Sequence, residues 1–583
     1  MNIIGINAYH GDSSACIMLD GELRAAVEEE RFRRIKHWAG FPSMSIQYCL
    51  DETGLSLADI DVIAVNSDPK ANVFKKLEYA IKKRPSLSVI LEKAKMAKKR
   101  QSITDELEKN FPGVQFNGKI EHVEHHLSHL ASSYYASPYD HALTVSVDGF
   151  GDFSSSAWGI GENQTIDVKQ HVHFPHSLGI FYQALTQYLG FPNYGDEYKV
   201  MGLAPYGKPT YLDKMKEIVN LESDGSFSLN LDYFRHHNEN ISYQWENHIP
   251  EVGTLFSTKL ESLLGPVREA KSPLTQEHYD IASSIQAMYE EAFFHLVNTV
   301  HGIYNIDSLT LAGGCAMNSV ANGKVYRKTN IKQVYIQSAA GDAGGAIGAA
   351  YVVSAKVNEL HDKSRMQHAY WGPSFSDETI KFLLDEHKEE IENAGCEIKY
   401  FDDESALYEE TAKAIDNAGV IGWFQGRMEW GPRALGNRSI LADPRRADMK
   451  DILNLKIKRR ESFRPFAPSI LREEVNSWFE EDDEVPFMMK VFQIREEKRS
   501  EIPAVTHVDG SGRLQTVFRE TNPRYHGLIS AFKKLSGVPI LLNTSFNENE
   551  PVVCQPKEAL DCFLRTKMDV LVCGNYFVSR VNV

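Results

Sequence analysis

Ile3-Ile4-Gly5-Ile6-Asn7-Ala8 runs into a polar corner, Tyr9-His10-Gly11-Asp12-Ser13-Ser14, and a second apolar run follows, Ala15-Cys16-Ile17-Met18-Leu19. Asp20-Gly21 is a two-residue hairpin turn, and Leu23 to Val27 reads as a third strand. The same plan returns at Ala142-Leu143-Thr144-Val145-Ser146-Val147, which leads into Asp148-Gly149-Phe150-Gly151-Asp152 and then Ser154-Ser155-Ser156-Ala157-Trp158. A strand, an acidic corner and a strand, met twice, point to two related halves facing one cleft.

Further along, Leu309-Thr310-Leu311-Ala312 is a buried strand that opens into Gly313-Gly314-Cys315-Ala316-Met317-Asn318. Gln333-Val334-Tyr335-Ile336 opens in the same way into Ala340-Gly341-Asp342-Ala343-Gly344-Gly345 and a small-residue helix, Ala346 to Ala355. Strand, glycine loop and helix in succession is how α/β folds present backbone N–H groups to a nucleotide. Helical spacing also covers Tyr279–Val297 and Glu404–Ala418, and Val420–Phe424 reads as a strand. A polar stretch from Ser354 to Gly372 reads as a linker, placing the boundary near residue 360 and the domains at 1–360 and 361–583.

With 583 residues, the chain is too long for one compact core. Its 42% apolar and 24% charged content is that of folded globular material. A net charge of -16 argues against a general nucleic-acid binder, which needs basic surface. No run of ~18 apolar residues predicts a membrane span, and the start reads as a strand rather than a signal peptide. The seven cysteines form no CxxC pair, and such a dispersed set predicts reduced thiols and a cytoplasmic protein. The lysine-rich stretch Lys75–Arg100 reads first as a solvated helical insertion; it and Ser223–Gly253 are also where contacts to an acceptor are expected.

Three stretches carry chemistry. In Glu124-His125-His126-Leu127-Ser128-His129, His125 and His129 stand one helical turn apart, a spacing that suits two imidazoles on one metal. His122 and His126 have the same spacing, so the pattern leaves the pair open. Asp148 and Asp342, each at a strand-end corner, are candidate carboxylate partners, and a two-His, two-Asp set favours iron, zinc or manganese over calcium. The second stretch runs from Gly426 to Ser439 and continues through Asn454 to Pro468. Its arginines, interleaved with Gly, Pro and aromatics, read as a shaped anion pocket, since guanidinium suits bidentate phosphate contact. The third is Val538-Pro539-Ile540-Leu541-Leu542, a buried strand ending in Asn543-Thr544-Ser545-Phe546-Asn547. Those small polar groups suit ligand binding; no Gly-x-Ser-x-Gly elbow surrounds Ser545.

Glu28-Glu29-Glu30-Arg31-Phe32, His125-His126-Leu127-Ser128-His129, Lys199-Val200-Met201-Gly202-Leu203-Ala204-Pro205-Tyr206-Gly207, Gly431-Pro432-Arg433-Ala434-Leu435-Gly436, Phe463-Arg464-Pro465-Phe466-Ala467-Pro468 and Asn543-Thr544-Ser545-Phe546-Asn547 together resemble the NodU/CmcH-type O-carbamoyltransferases over nearly the whole chain. The resemblance implies an α/β protein. Its N-terminal part would be an actin/hexokinase-like (ASKHA) domain of two duplicated ribonuclease-H-like halves, followed by a YrdC-like domain handling carbamoyl phosphate. It implies metal ligands at His125, His129, Asp148 and Asp342, with Fe2+ expected, and nucleotide contacts at Lys36, Asn318, Gly341 and Gly344. The carbamoyl phosphate pocket falls on Arg433, Lys458, Arg464, Arg513, Asn543 and Ser545, and the catalytic residues on His10 and Asp12. ATP and carbamoyl phosphate would give carbamoyl-adenylate, and the carbamoyl group would pass to a hydroxyl of a small-molecule acceptor, a natural product or sugar. No nucleic acid or membrane takes part. The chain departs from the family pattern at Tyr9-His10-Gly11-Asp12, where many members have His directly before Asp, and at Glu548-Asn549-Glu550, where many carry Arg-Gly. An actin-fold kinase would leave the histidine pair and the second domain unexplained. A non-catalytic nucleotide- and metal-binding subunit would not need the arginine pocket. Carbamoyl transfer to cysteine, as in hydrogenase maturation, goes with N-terminal modules that the initial strand replaces here.

Overall fold

The computed structural model describes residues 1–83, 103–239, 241, 243–244, 250–357, 360, 366–461 and 463–581. The stretch Lys75–Arg100 is described only to residue 83, as the end of a helix Val73–Lys83; the rest of it, and part of Ser223–Gly253, lie outside the described residues. The chain divides into two compact units. One joins Met1–Asn318 with Val325–Met366, the other Ser319–Lys324 with Gln367–Val583.

The first unit is built twice on one plan. Strands β1 (Asn2–Asn7), β2 (Ser14–Leu19) and β3 (Glu22–Glu28) form an antiparallel meander, and β4 (Val62–Val65) and β5 (Lys119–His122) add to β1 in parallel, giving the order β3-β2-β1-β4-β5. Strands β6 (His141–Gly151), β7 (Ser154–Glu162) and β8 (Thr165–His173) repeat the meander, and β9 (Ser308–Ala312) and β10 (Gln333–Ile336) repeat the parallel additions, in the order β8-β7-β6-β9-β10. Registers match in kind: Ile4 pairs with Ile17 across an antiparallel seam and with Ile63 across a parallel one, as Val145 pairs with Trp158 and Leu311. This duplicated topology is that of the actin/hexokinase fold, with a mixed α/β unit following it.

Near-continuous burial marks the central strands, which are covered on both faces. The first sheet covers Ile4, Ile6, Ile17 and Ile63 with Ile46 and Leu50 of helix α1 (Ser43–Thr53). Each half ends in a helix, α2 (His125–Tyr134) after β5 and α3 (Gly344–Lys356) after β10. Small residues let the two helices touch: a Cβ on Gly348 would lie 1.8 Å from the Ser128 carbonyl oxygen. A Cβ on Gly5 would lie 2.0 Å from the Ala346 carbonyl oxygen, so α3 rests directly on β1.

Both meanders turn through left-handed non-glycine residues, Tyr9 and Asp12 in the first, Asp152 and Phe153 in the second. Such conformations persist only where the surroundings enforce them. Asn7 holds the first corner, its amide donating to the carbonyls of Gly11 and Asp12 at 3.0 Å. Asp152 holds the second, accepting from Ser67 Oγ and from the backbone N–H groups of Asp68 and His125. The sequence ends the strand at Val147, whereas β6 runs to Gly151: its ladder breaks after Val147 and is regained where Gly151 pairs with Ser154. Asp148 therefore projects from an irregular stretch of strand.

The second unit carries one eight-stranded mixed sheet: β11 (Cys396–Tyr400), β12 (Ile421–Phe424), β13 (Arg438–Ala442), β14 (Ala467–Leu471), β15 (Gln515–Val517), β16 (Ile540–Ser545), β17 (Val570–Cys573) and β18 (Tyr576–Arg580), in the order β11-β18-β17-β12-β13-β16-β14-β15. Among the described residues no helix is long and apolar enough to cross a membrane.

Gly348→Ala is expected to lower the stability of the first unit by about 1–3 kcal/mol, because the methyl must push α2 and α3 apart. The urea midpoint of its unfolding measures this; an unchanged midpoint would show that the helices do not touch there.

Candidate functional site

Helix α2 begins where it does because the Glu124 carboxylate caps it, accepting from Leu127 N–H at 2.7 Å. That start puts His125 and His129 on one face, both rings fully buried, with their Nε2 atoms 3.0 Å apart. Asp148 Oδ2 lies 3.1 Å from the first and 3.2 Å from the second, and Asp342 Oδ1 lies at 3.7 and 3.4 Å. All four ligand atoms fall within 4.8 Å of one another. Gly314 N–H fixes the other Asp148 oxygen at 2.9 Å, and Gly151 leaves room for the His125 ring, which a Cβ there would strike at 2.0 Å. The alternative pair is apart: His122 sits on β5 with Nδ1 on the Ser67 carbonyl, and His126 turns to Ser146 Oγ at 2.9 Å.

The electrostatics separate these groups. Burial alone would raise the Asp148 carboxyl, but the hydrogen bonds of His125 and His129 hold it well below the usual carboxylate range. Burial and the Asp148 charge raise Asp342. For His129, burial opposes the charged form, yet Asp148 and Asp342 outweigh it and carry the ring up to about 10. His126 lacks comparable compensation, and burial pushes it down to about 3. Apart from these long approaches to the imidazoles, buried Asp342 Oδ1 meets no hydrogen-bond partner among the described residues. Two imidazole nitrogens and two carboxylate oxygens aimed at one point, one of them unpaired, fit a divalent transition metal.

Other residues of the first unit surround this cluster. The buried His10 ring lies 5.2 Å from that of His125. Asp12 Oδ1 meets His37 Nδ1 at 2.8 Å, a contact that the sequence did not single out. Lys36, next to it, is exposed. A Cβ on Gly341 would meet only Gly314 Cα, at an ordinary 3.9 Å, whereas one on Gly313 would strike the Val147 carbonyl oxygen at 2.3 Å and one on Gly344, which opens α3, the Ala339 carbonyl oxygen at 2.2 Å. Asn318, by contrast, shares a paired amide contact with Gln286 inside the unit.

In the second unit the basic stretch sorts into two kinds of arginine. Arg438 is fully buried, gives its N–H groups to the carbonyls of Gln425, Asn437, Pro373 and Gly426, and lies 3.7 Å over the Phe424 ring. Arg427 donates to the Trp371 and Gly372 carbonyls. These two hold the loop. Arg433, Arg460, Arg464 and Arg513 form a cluster instead: burial, and then the charges of the other three, hold Arg513 well below the usual guanidinium range. Arg513 Nε is buried without a hydrogen-bond partner among the described residues. Lys458 is turned elsewhere, its buried ammonium donating to the carbonyl and Oδ1 of Asn547 at 2.8 and 2.6 Å and to the Ser545 carbonyl. Asn543 Nδ2 donates to Ala434 O, Ser469 Oγ and Gln515 Oε1. The sequence reading missed Glu429, whose buried Oε1 accepts from the N–H groups of Leu435, Asn437 and Arg438 and so shapes the loop bearing Arg433. Its position five residues ahead of that apolar-flanked loop was the only available signal.

A duplicated actin-type unit with a histidine–aspartate cluster, and an α/β unit with an arginine cluster, define a two-part enzyme class. Two family models match: carbamoyltransferase N-terminus over residues 2–351 and carbamoyltransferase C-terminus over residues 412–580. An uncharacterized protein of Synechocystis sp. is 41% identical, over 99% of this chain and 97% of its own. The nodulation protein NolNO of Sinorhizobium fredii is 40% identical, over 98% of this chain and 80% of its own. A 3'-hydroxymethylcephem-O-carbamoyltransferase of Amycolatopsis lactamdurans is 35% identical over 41% of this chain and 42% of its own. The chain belongs to the carbamoyltransferase family of the NodU/CmcH type and is a transferase.

Glu429→Gln keeps an acceptor but removes the charge, and is expected to cost about 1–3 kcal/mol; Glu429→Ala strands three buried N–H groups and costs more. Urea unfolding of the two variants checks the order, and equal losses would assign the effect to the side chain's bulk.

Proposed function

We propose that the protein is an ATP-dependent O-carbamoyltransferase that passes the carbamoyl group of carbamoyl phosphate, by way of carbamoyl-adenylate, to a hydroxyl of a small natural product or sugar. The observation that carries the reading is the cluster of Arg433, Arg460, Arg464 and Arg513. Four guanidinium groups set together oppose one another's charge, and a bound dianion offsets that opposition with charge-assisted hydrogen bonds. Family membership and the O-carbamoyltransferase activity for which the cephem relative is named support the same chemistry.

Each group then has a task. Arg433 and Arg464 bind carbamoyl phosphate and stabilise charge on the departing phosphate. The glycine loops at Gly313–Gly314 and Gly341–Gly344 admit the nucleotide phosphates to backbone N–H groups, with Lys36 and Asn318 at their borders. His125, His129, Asp148 and Asp342 would hold a divalent transition metal, Fe2+ in this reading, which when bound supplies a Lewis acid toward the nucleotide phosphate. His10 stands where a donor to the carbamoyl oxygen is needed, beside the cluster. Adenylation replaces a sluggish phosphate leaving group by AMP in a mixed anhydride. The reading divides the work at about residue 360, nucleotide and metal before it and carbamoyl phosphate after it, in a cytoplasmic enzyme.

Incubation with ATP, carbamoyl phosphate and Fe2+ is expected to release pyrophosphate. Arg464→Ala abolishes that release, and His10→Asn retains it while blocking transfer; full activity of Arg464→Ala would place the pocket elsewhere. His129→Ala and Asp342→Asn are expected to purify without the metal that the parent protein carries, as read by elemental analysis.

A further inference from the structure

The corner between β1 and β2 and the segment after β3 meet in a way that the chemistry above does not use. Asp12 and His37 are both non-glycine residues in the left-handed region, at φ 56° and 55°. They face each other, with the Asp12 carboxylate on His37 Nδ1 at 2.8 Å. His37 N–H is itself tied to Glu30 Oε2 at 2.8 Å, so both the backbone and the ring are fixed. Its ring stands edge-on to Tyr194 at 5.4 Å, and its Nε2 comes so near Gly195 that a Cβ there would lie 2.5 Å away. Gly11 in turn makes room for the Tyr194 hydroxyl. Tyr194 lies within the field of Asp148 and Asp342, which places the pair on the wall of the metal cluster's cleft. Asp12 and His37 are each about one-third exposed, at 34% and 35% of the side chain, and Nε2 is given no hydrogen bond among the described residues. A carboxylate on one ring nitrogen of a part-exposed imidazole, with the other nitrogen left for a proton, is the arrangement of an oriented general base.

We infer that His37 is the proton acceptor for the attacking hydroxyl, with Asp12 its positioning residue. The inference rests on the carbamoyl-adenylate reading and assigns the proton in its second step. The acceptor oxygen bonds to the carbamoyl carbon, and the bond from that carbon to the adenylate oxygen breaks with its electron pair leaving on AMP. The hydroxyl proton passes to His37 Nε2. The left-handed backbone at both residues holds the carboxylate and the ring in this pairing. The groups facing His37 are Asp12, Glu30, Lys36, Tyr194 and Glu197, with Arg31 behind Asp12. Burial alone would lower the ring, and the Asp12 charge and hydrogen bond carry it up to about 9. The base form therefore grows as pH rises through that value.

Water serves as the probe acceptor. The full protein is given ATP, carbamoyl phosphate and Fe2+, and pyrophosphate and AMP release are followed separately in single turnovers across pH. In the parent protein AMP release is expected to climb with pH with its midpoint near 9. His37→Gln flattens that climb and slows AMP release by ~10²–10⁴-fold, the usual worth of a general base. Asp12→Asn moves the midpoint down toward ~6.5, the ordinary imidazole value, a shift that a merely structural role would not produce. Should His37→Gln fail to fold, the Asp12→Asn midpoint decides alone. A folded His37→Gln with the parent's slope and rate, or an unmoved Asp12→Asn midpoint, overturns the inference. So does a parent rate that falls as pH rises through 9, because an imidazolium would then be holding phosphate. Absence of pyrophosphate from the parent protein overturns the carbamoyl-adenylate reading, and this inference with it.

Discussion

Two buried imidazole nitrogens 3.0 Å apart, wedged between two carboxylates, set the terms for the first unit. Neither ring can turn away, because α2 is started by the Glu124 cap and pressed by α3 at Gly348. Neither carboxylate can relax, because Asp148 is pinned by Gly314 N–H and Asp342 sits on a glycine loop that opens a helix. The small residues at 5, 151, 344 and 348 follow from this convergence: each admits a neighbouring backbone or ring that a larger side chain would displace.

The second unit solves the opposite electrostatic problem. Its arginines bear on one another's charge, and two further arginines, Arg427 and Arg438, donate to backbone carbonyls of the adjoining loop. Glu429 closes the same loop from the other side through three N–H groups. The scaffold cations thus satisfy carbonyls that a tight, glycine-rich loop cannot pair in a sheet. Among the clustered ones, Arg513 Nε is buried without a hydrogen-bond partner among the described residues.

Much of the first unit was legible because its information is local. The Asp20-Gly21 turn, the strand-end glycines and the small-residue helix each dictate their own geometry, and the repeat of one plan exposed the duplication. The histidine spacing named candidates but left two pairs; only the placement of His122 on a strand and the cap at Glu124 separates them. In the second unit, composition could mark a basic region but not divide it, since Arg433 and Arg438 look alike until their partners are seen. Lys458 and Asn543 show the same limit: both belong to the expected anion pocket, and both are turned to chain partners. His37 was invisible for a related reason. Its significance comes from a corner residue 25 positions away, through a left-handed backbone that no side-chain pattern announces.

The four converging ligands come from both repeats. The imidazoles close the first repeat on the helix after β5, while Asp148 opens the second on β6 and Asp342 precedes its last helix. Neither repeat alone contains a complete set, so the cluster acts as a caliper across the duplication. A tilt of one repeat against the other by even an ångström would spread the donor atoms unequally and weaken their grip on an ion. Ion affinity in this fold therefore reports inter-repeat geometry, and any nucleotide that draws the two repeats together tightens the ion by the same free energy with which the ion tightens the nucleotide.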